Sequence, residues 1–313
     1  MDASAGGGLR RHLISLSDVD TSELDRLVGT SVEYAAGGWG GRPLDGAVVG
    51  VYFRRTSTRT RTAFSVAALR LGAQIVAYGP DDLQLNTGET VEDTAKVFAG
   101  MLDGLVARTA GPTTELRALA DQGTMSVVNA MCAVEHPTQA LADLTTMTRK
   151  FGRLEGLRVV YVGEGNSTAV ALALALSRYP GVRLELRTPL GYGLDPETTL
   201  RVKEYAAVSG AAVEERHDLG ELPGDADVVY TTRWQTTGSS KADARWRQAF
   251  EPFRVDGAVM AACPGAVFMH DLPAHRGEEV TAEVLDGARS IAFDQANNKL
   301  YSAMAALKWC IAR

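Results

Sequence analysis

Gly46-Ala47-Val48-Val49-Gly50-Val51-Tyr52-Phe53 runs into Arg54-Arg55-Thr56-Ser57-Thr58-Arg59-Thr60-Arg61 and then into Thr62-Ala63-Phe64-Ser65-Val66-Ala67-Ala68-Leu69. The first part is a short apolar run that reads as a strand, and the last carries apolar side chains at helical spacing. Between them, four guanidinium groups and several hydroxyls fall at a strand-to-helix turn. The first N–H groups of a helix lack intrahelical partners and the dipole there is positive, so Ser57, Thr58 and Thr60 can donate alongside the backbone to a doubly charged oxyanion. Arginine adds a planar fork that grips phosphate in two places. A solvated basic first turn would be the plain alternative, but cations at a helix N-terminus oppose the dipole and need a reason.

The same alternation extends in both directions. Ser17 to Glu23 offers N-cap residues to a helix reaching about Ala36, where Gly37-Gly38 stops it. Spacing predicts strands over 73–78, 104–108 and 125–129, with helices over 90–101, 113–122 and 136–149. A boundary falls at 151–156. Beyond it, strands are predicted over 158–162, 183–187, 228–232 and 259–262, with helices over 168–179 and 198–209. The expected fold class is α/β: two doubly wound parallel-sheet domains joined by interdomain helices. Residues 1–150 form the first domain and 151–293 the second. A terminal helix over 294–313, carrying Leu300, Met304, Leu307 and Trp309, returns to the first.

The chain of 313 residues is long enough for two such cores. Its net charge of −6 gives no support for nucleic-acid or membrane binding, so any anion site is local. Cys132, Cys263 and Cys310 are an odd number without metal-ligand spacing, which points to a reducing cytoplasm. Residues 1–11 read as a tail without a signal-peptide core, and no run approaches the roughly 18 apolar residues of a membrane helix.

Further polar groups fall at predicted strand ends, where open parallel sheets bind their ligands. Arg108 ends the third strand, and His136-Pro137-Thr138-Gln139 opens a helix beside the fourth. Gly163-Glu164-Gly165-Asn166-Ser167-Thr168 follows a strand and opens a helix. That invites a nicotinamide-dependent oxidoreductase reading, but Thr168 replaces the third glycine of the fingerprint and no acid ends the next strand. A tight turn presenting Asn166 to the cleft is the preferred account. Tyr230-Thr231-Thr232-Arg233-Trp234-Gln235 offers Arg233 and Gln235 on one side to a carboxylate. His270-Asp271-Leu272-Pro273-Ala274-His275-Arg276-Gly277 mixes imidazoles, an acid and an arginine, without the spacing of a metal site.

Taken together, Ser57-Thr58-Arg59-Thr60-Arg61, His136-Pro137-Thr138-Gln139 and His270-Asp271-Leu272-Pro273 resemble the signature of the aspartate and ornithine carbamoyltransferase family, in order and spacing from about residue 10 to the end. The resemblance implies transfer of the carbamoyl group of carbamoyl phosphate to a small amino acid, giving a ureido product. No metal or organic cofactor is implied. By the resemblance, Ser57, Thr58, Arg59, Thr60 and Arg108 hold the phosphate, while Arg59, Thr60 and His136 polarise the carbonyl. Gln139 and the Leu272 carbonyl fix the carbamoyl NH2, and Arg276 completes that half. A homotrimer with shared active sites is also implied, with Gln84 reaching the neighbour's carbamoyl phosphate. Asn129, Asn166, Thr232, Arg233, Gln235 and Asp271 form the acceptor side.

The acceptor side departs from both kinds of relative. The aspartate and Ser-Met-Gly motif of ornithine enzymes is replaced by Thr232 and Thr236-Thr237-Gly238. The second-domain arginine of aspartate enzymes is missing, with Asn166-Ser167 in that region. Asp271 stands where ornithine enzymes have cysteine and aspartate enzymes proline. A carboxylate held by Arg233 and Gln235, with an ammonium group held by Asp271, describes a short diamino acid such as 2,3-diaminopropionate, in specialised metabolism. Ornithine and aspartate remain alternatives, as does a non-catalytic anion-binding paralogue.

Overall fold

The computed structural model describes residues 10–38, 40–236 and 240–312. The glycine-rich start and the Thr237-Gly238 pair lie outside them. The first domain runs α1 (Thr21–Ala35), β1 (Val48–Phe53), α2 (Thr58–Leu71), β2 (Gln74–Tyr78), α3 (Val91–Ala99), β3 (Gly104–Arg108), α4 (Thr113–Ala120), β4 (Ser126–Asn129) and α5 (Pro137–Phe151). Its strands form a parallel sheet in the order β2-β1-β3-β4. The second domain runs β5 (Arg158–Val162), α6 (Ser167–Leu176), β6 (Arg183–Arg187), α7 (Pro196–Ser209), β7 (Ala212–Arg216), β8 (Val228–Thr231), α8 (Trp246–Phe250), α9 (Gly257–Ala262), β9 (Val267–His270) and α10 (Ala282–Leu285), and the terminal helix α11 (Ala292–Ile311) returns to the first. Its sheet is also parallel, in the order β7-β6-β5-β8-β9.

Two strands differ from the sequence expectation. The run 259–262 lies in α9 instead, because the Asp256 carboxylate accepts from the N–H groups of Ala258 and Val259 and caps a helix there. A short apolar run does not choose between helix and strand by itself, and here the cap chooses. The ladder position passes to β9, whose four residues are all buried. Strand β7 carries Glu214, Glu215 and Arg216 at the sheet edge, where charged residues are favoured because they discourage further pairing. It therefore lacks the apolar signature of its neighbours.

The two domains share one core through helices that touch both. Helix α11 packs against α1, α2 and α5, and α5 packs against α6. Met304 and Leu307 of α11 are fully buried, each contributing about 1.5–3 kcal/mol of transfer free energy. Arg178, at the end of α6, donates to the carbonyls of Leu16 and Val19 at 2.7 and 2.5 Å and ties the second domain to the N-terminal segment.

Glu135 anchors that segment from the other side, accepting from the Leu16 N–H at 2.7 Å and the Ser15 hydroxyl at 2.5 Å. Burial pushes its carboxyl from 4.5 up to about 7, against the pull of those two donors. The folded chain then holds a proton that the unfolded chain releases, so this contribution to stability is present below pH 4.5 and is lost as pH rises through about 7. Glu135→Gln is expected to flatten that slope and to stabilise the fold at pH 8 by at most about 3 kcal/mol. Urea titrations at pH 5 and pH 8 check this. A slope identical to wild type would show that Glu135 titrates normally.

Candidate active site

Both sheets turn their strand carboxyl ends toward a single cavity of about 330 Å³ between the domains. The register pairs Phe53 of β1 with Arg108 of β3, so the residues that follow β1 start beside Arg108. Ser57 is the N-cap of α2, yet its side chain makes no capping bond, which leaves the hydroxyl available to a ligand at the helix N-terminus. Ser57, Thr58, Arg59, Thr60 and Arg108 all line the cavity. Of the other arginines in the opening cluster, Arg54 is clasped by both oxygens of Glu115, while Arg55 and Arg61 are exposed and do not line it.

His136 and Gln139 complete the first-domain wall. Arg108 Nη1 lies 3.5 Å from His136 Nε2, and Thr138 Oγ1 lies 3.3 Å from Nδ1. Burial, then the charges of Arg108 and Lys299, push the imidazole well below its usual range, so the ring is neutral and can donate through one nitrogen without adding charge. Burial lowers Arg108 to about 10, which leaves it cationic at neutral pH.

The second domain supplies the facing wall. Asn166 caps α6, accepting from the N–H groups of Thr168 and Ala169 and donating to Thr236 Oγ1 at 3.2 Å. The glycines before it serve packing. Gly163 holds φ at +136°, and a Cβ on Gly165 would lie 2.3 Å from the Gly193 carbonyl carbon. A dinucleotide fingerprint is therefore not needed to explain the glycine pattern.

Asp271 follows β9 and accepts from the hydroxyls of Thr168 and Thr232, each at 2.9 Å. Burial opposes its charge, but the neighbouring His270, then the Lys299 ammonium and the Thr168 hydroxyl, outweigh it and hold the carboxyl below the usual range. Leu272 sits at φ +54°, a conformation rare for a residue with a side chain, and its N–H donates to His270 Nδ1 at 2.8 Å. The ring proton of His270 is thus on Nε2, directed to Glu279 Oε1 at 3.1 Å.

Four expected site residues are not among the cavity's lining residues. Asn129 spends its amide on backbone, donating to the Ile14 carbonyl at 2.8 Å and accepting from the Met131 N–H at 2.9 Å, and so fastens the N-terminal segment. Arg276 is exposed and pairs with Asp286 at 2.6 Å, because the turn closed by the Gly277 N–H and the Val280 carbonyl directs it outward. Gln235 is not among the cavity's lining residues, whereas Arg233 is. Strand β8 ends at Thr231, so the two-residue alternation stops before it, and Arg233 and Thr236 line the cavity instead. Gln84 is exposed in a short turn after β2 and hydrogen-bonds to Thr87.

Lys299 is the main residue that sequence reasoning missed. It lines the cavity from α11, and its ammonium donates to Gln139 Oε1. Gln139 Nε2 donates in turn to Asp143 Oδ1 at 2.7 Å, so both ends of that amide are engaged by protein. Burial lowers the Lys299 pKa, with Asp271 and Asp143 opposing the shift. The available signal was a polar stripe, Gln295, Asn298, Lys299 and Ser302, at helical spacing in the terminal helix, and all four are buried.

Among the lining residues, Arg59, Arg108, Arg233 and Lys299 face the single carboxylate of Asp271. Among the described residues, His275, Glu278 and Glu279 group metal-ligand atoms within 4.8 Å of one another, outside this cavity. Glu279 Oε1 there already accepts from the His275 N–H at 2.6 Å.

Two parallel-sheet domains that present a cationic cavity at their strand carboxyl ends define an anion-binding two-domain α/β protein. Residues 11–149 match the aspartate/ornithine carbamoyltransferase carbamoyl-P binding domain, and residues 155–310 match the Asp/Orn binding domain of the same family. An ornithine carbamoyltransferase of Gloeobacter violaceus is 38% identical over 309 residues, covering 98% of each chain. One from Thermococcus kodakarensis is 38% identical over 301 residues, covering 95% of each. The solved ornithine carbamoyltransferase of Pyrococcus furiosus superposes with a TM-score of 0.89 at 36% identity, covering 97% of each chain. The chain belongs to the aspartate/ornithine carbamoyltransferase family and is an enzyme of the carbamoyltransferase type.

Proposed function

We propose that the enzyme carbamoylates a short diamino acid such as 2,3-diaminopropionate, placing carbamoyl phosphate against α2 and β3 and the acceptor against β8 and β9. The observation that carries the acceptor assignment is Asp271, a carboxylate on the second-domain wall with two hydroxyl donors and Arg233 in the same cavity. Arg233 takes the carboxylate and Asp271 the ammonium. A cavity near the low end of the roughly 300–1,000 Å³ usual for small ligands suits a short acceptor. Ornithine is the second reading, supported by the names of the relatives.

The chemistry follows from the cationic wall. The acceptor's uncharged amine attacks the carbamoyl carbon, forming the C–N bond while the carbonyl oxygen takes negative charge. The bond to the phosphate oxygen then breaks, phosphate leaves with the electron pair, and the amine proton passes to solvent or phosphate. Arg59, Arg108, Ser57, Thr58 and Thr60 favour the leaving charge, and His136 donates toward the carbonyl oxygen. With the Gln139 oxygen engaged by Lys299, the carbamoyl NH2 falls to the Leu272 carbonyl, and Lys299 adds a positive charge at the same wall.

A homotrimer with shared sites is supported by the edge of the first sheet. Gln74, Val76 and Ala77 of β2 are exposed at that edge, as are Leu69, Val97 and Met101 nearby in the chain, and Gln84 follows β2. Mixing Gln84→Ala chains with Arg59→Ala chains, each nearly inactive alone, is expected to restore part of the activity. No recovery after subunit exchange would place Gln84 in its own chain's chemistry. The buried, unpaired cysteines are compatible with a cytoplasmic setting, and among the described residues no helix is long and apolar enough to cross a membrane.

Purified protein with carbamoyl phosphate and a panel of amino acids tests the acceptor, read as phosphate release and product mass. The highest kcat/KM is expected with 2,3-diaminopropionate. Preference for ornithine would transfer the assignment to the second reading, and amine-independent phosphate release alone would remove both.

A further inference from the structure

The segment after β8 carries its own anchor. Lys241 is nearly buried, with its side chain 4% exposed, and its ammonium pairs with Glu164 Oε1. The ammonium also lies 5.0 Å from the Tyr192 ring centroid, 5.3 Å from Trp246 and 4.9 Å from Phe250, so it occupies an aromatic box. Trp234 packs against the same Phe250 at 5.9 Å between centroids. Arg233 precedes Trp234 and Thr236 lies two residues beyond, and both line the cavity. On the other side of the ion pair, Glu164 is two residues before Asn166, and its carbonyl accepts from the Tyr161 hydroxyl at 2.6 Å. The box therefore joins the Arg233 segment to the glycine turn, and the Asn166–Thr236 hydrogen bond is a second link across the same seam.

We propose that Lys241 is a positioning residue for the amino-acid acceptor: its pairing with Glu164 inside the aromatic box clamps the segment bearing Arg233 and Thr236 against the turn bearing Asn166. A lysine in water gains little from an exposed carboxylate, but this pair is walled by rings, where its attraction is less screened. Glu164 Oε2 is buried without a hydrogen-bond partner, so losing the ammonium would leave a poorly compensated carboxylate and push the two elements apart. The carbamoyl phosphate side, on α2 and β3, does not touch the clamp. The inference rests on carbamoyl transfer to an amino acid, the function proposed above.

Lys241→Met keeps the stem in the box and removes the charge. The KM of the best acceptor in the panel is expected to rise at least about tenfold, with the KM for carbamoyl phosphate within about twofold of wild type. Trypsin cleavage after the exposed Arg245 or Arg247 is expected to speed up several-fold. Glu164→Gln should move both readouts in the same direction by less, and it decides the matter if Lys241→Met does not fold. An unchanged acceptor KM with unchanged cleavage overturns the proposal, as does an equal rise in both KM values with a lowered melting temperature. If wild-type protein shows no amine-dependent turnover, the proposed function fails, and the cleavage rates alone still decide whether the clamp exists.

Discussion

Arg59→Ala is expected to lower turnover at least about a thousandfold while leaving the fold intact, because the proposed reaction assigns this side chain both the leaving phosphate and the carbonyl oxygen. Arg59 is the second residue of α2 and projects from the helix start into the cavity with Arg108. Burial lowers its pKa, Asp271 opposes the shift, and Arg233 adds to it, so the guanidinium sits among other cations and is stabilised further when a dianion arrives. A single preorganised donor is worth about 10²- to 10³-fold in turnover, and a charged fork spanning two oxygens exceeds that. Its removal relieves repulsion among the remaining cations, so the melting temperature should hold or rise slightly. Phosphate-release assays beside thermal denaturation check both halves. A folded variant that retains ordinary turnover would sink the phosphate-site assignment.

Arg233→Ala is expected to raise the acceptor's KM by about ten- to a hundredfold with carbamoyl phosphate affinity nearly unchanged. Losing one charge-assisted hydrogen bond to a carboxylate costs about 1.5–3 kcal/mol. The two substrates separate in the proposed arrangement because Arg233 comes from the segment after β8, whereas the proposed phosphate donors come from α2 and β3. Steady-state kinetics with each substrate varied in turn provides the check. An unchanged acceptor KM would shift the carboxylate to Lys299, another cation that lines the cavity.

Much of this site was legible because it is built from local signals. Strand ends followed by helix starts place Ser57, Arg108 and His136 along one sheet edge, and Asn166, Arg233 and Asp271 along the other. Those positions follow from periodicity and caps. Which residues stay outside the cavity depended on geometry beyond a few residues. Arg276 lies five residues after Asp271, yet a tight turn sends it to Asp286. Asn129 ends its strand beside the site, but the N-terminal segment claims its amide.

Contiguous residues with local backbone preferences already specify the two parallel-sheet domains, the Ser57 to Thr60 turn proposed to grip phosphate, and the acid at Asp271. Packing of distant segments, by contrast, brings Lys299 into the cavity against Gln139 and boxes Lys241 with aromatic rings beside Glu164. Lys299 lies 160 residues from Gln139, and Lys241 lies 77 from Glu164. The physical reason is that helix packing and burial, which choose the face a side chain presents and the charge it meets, are properties of the assembled core.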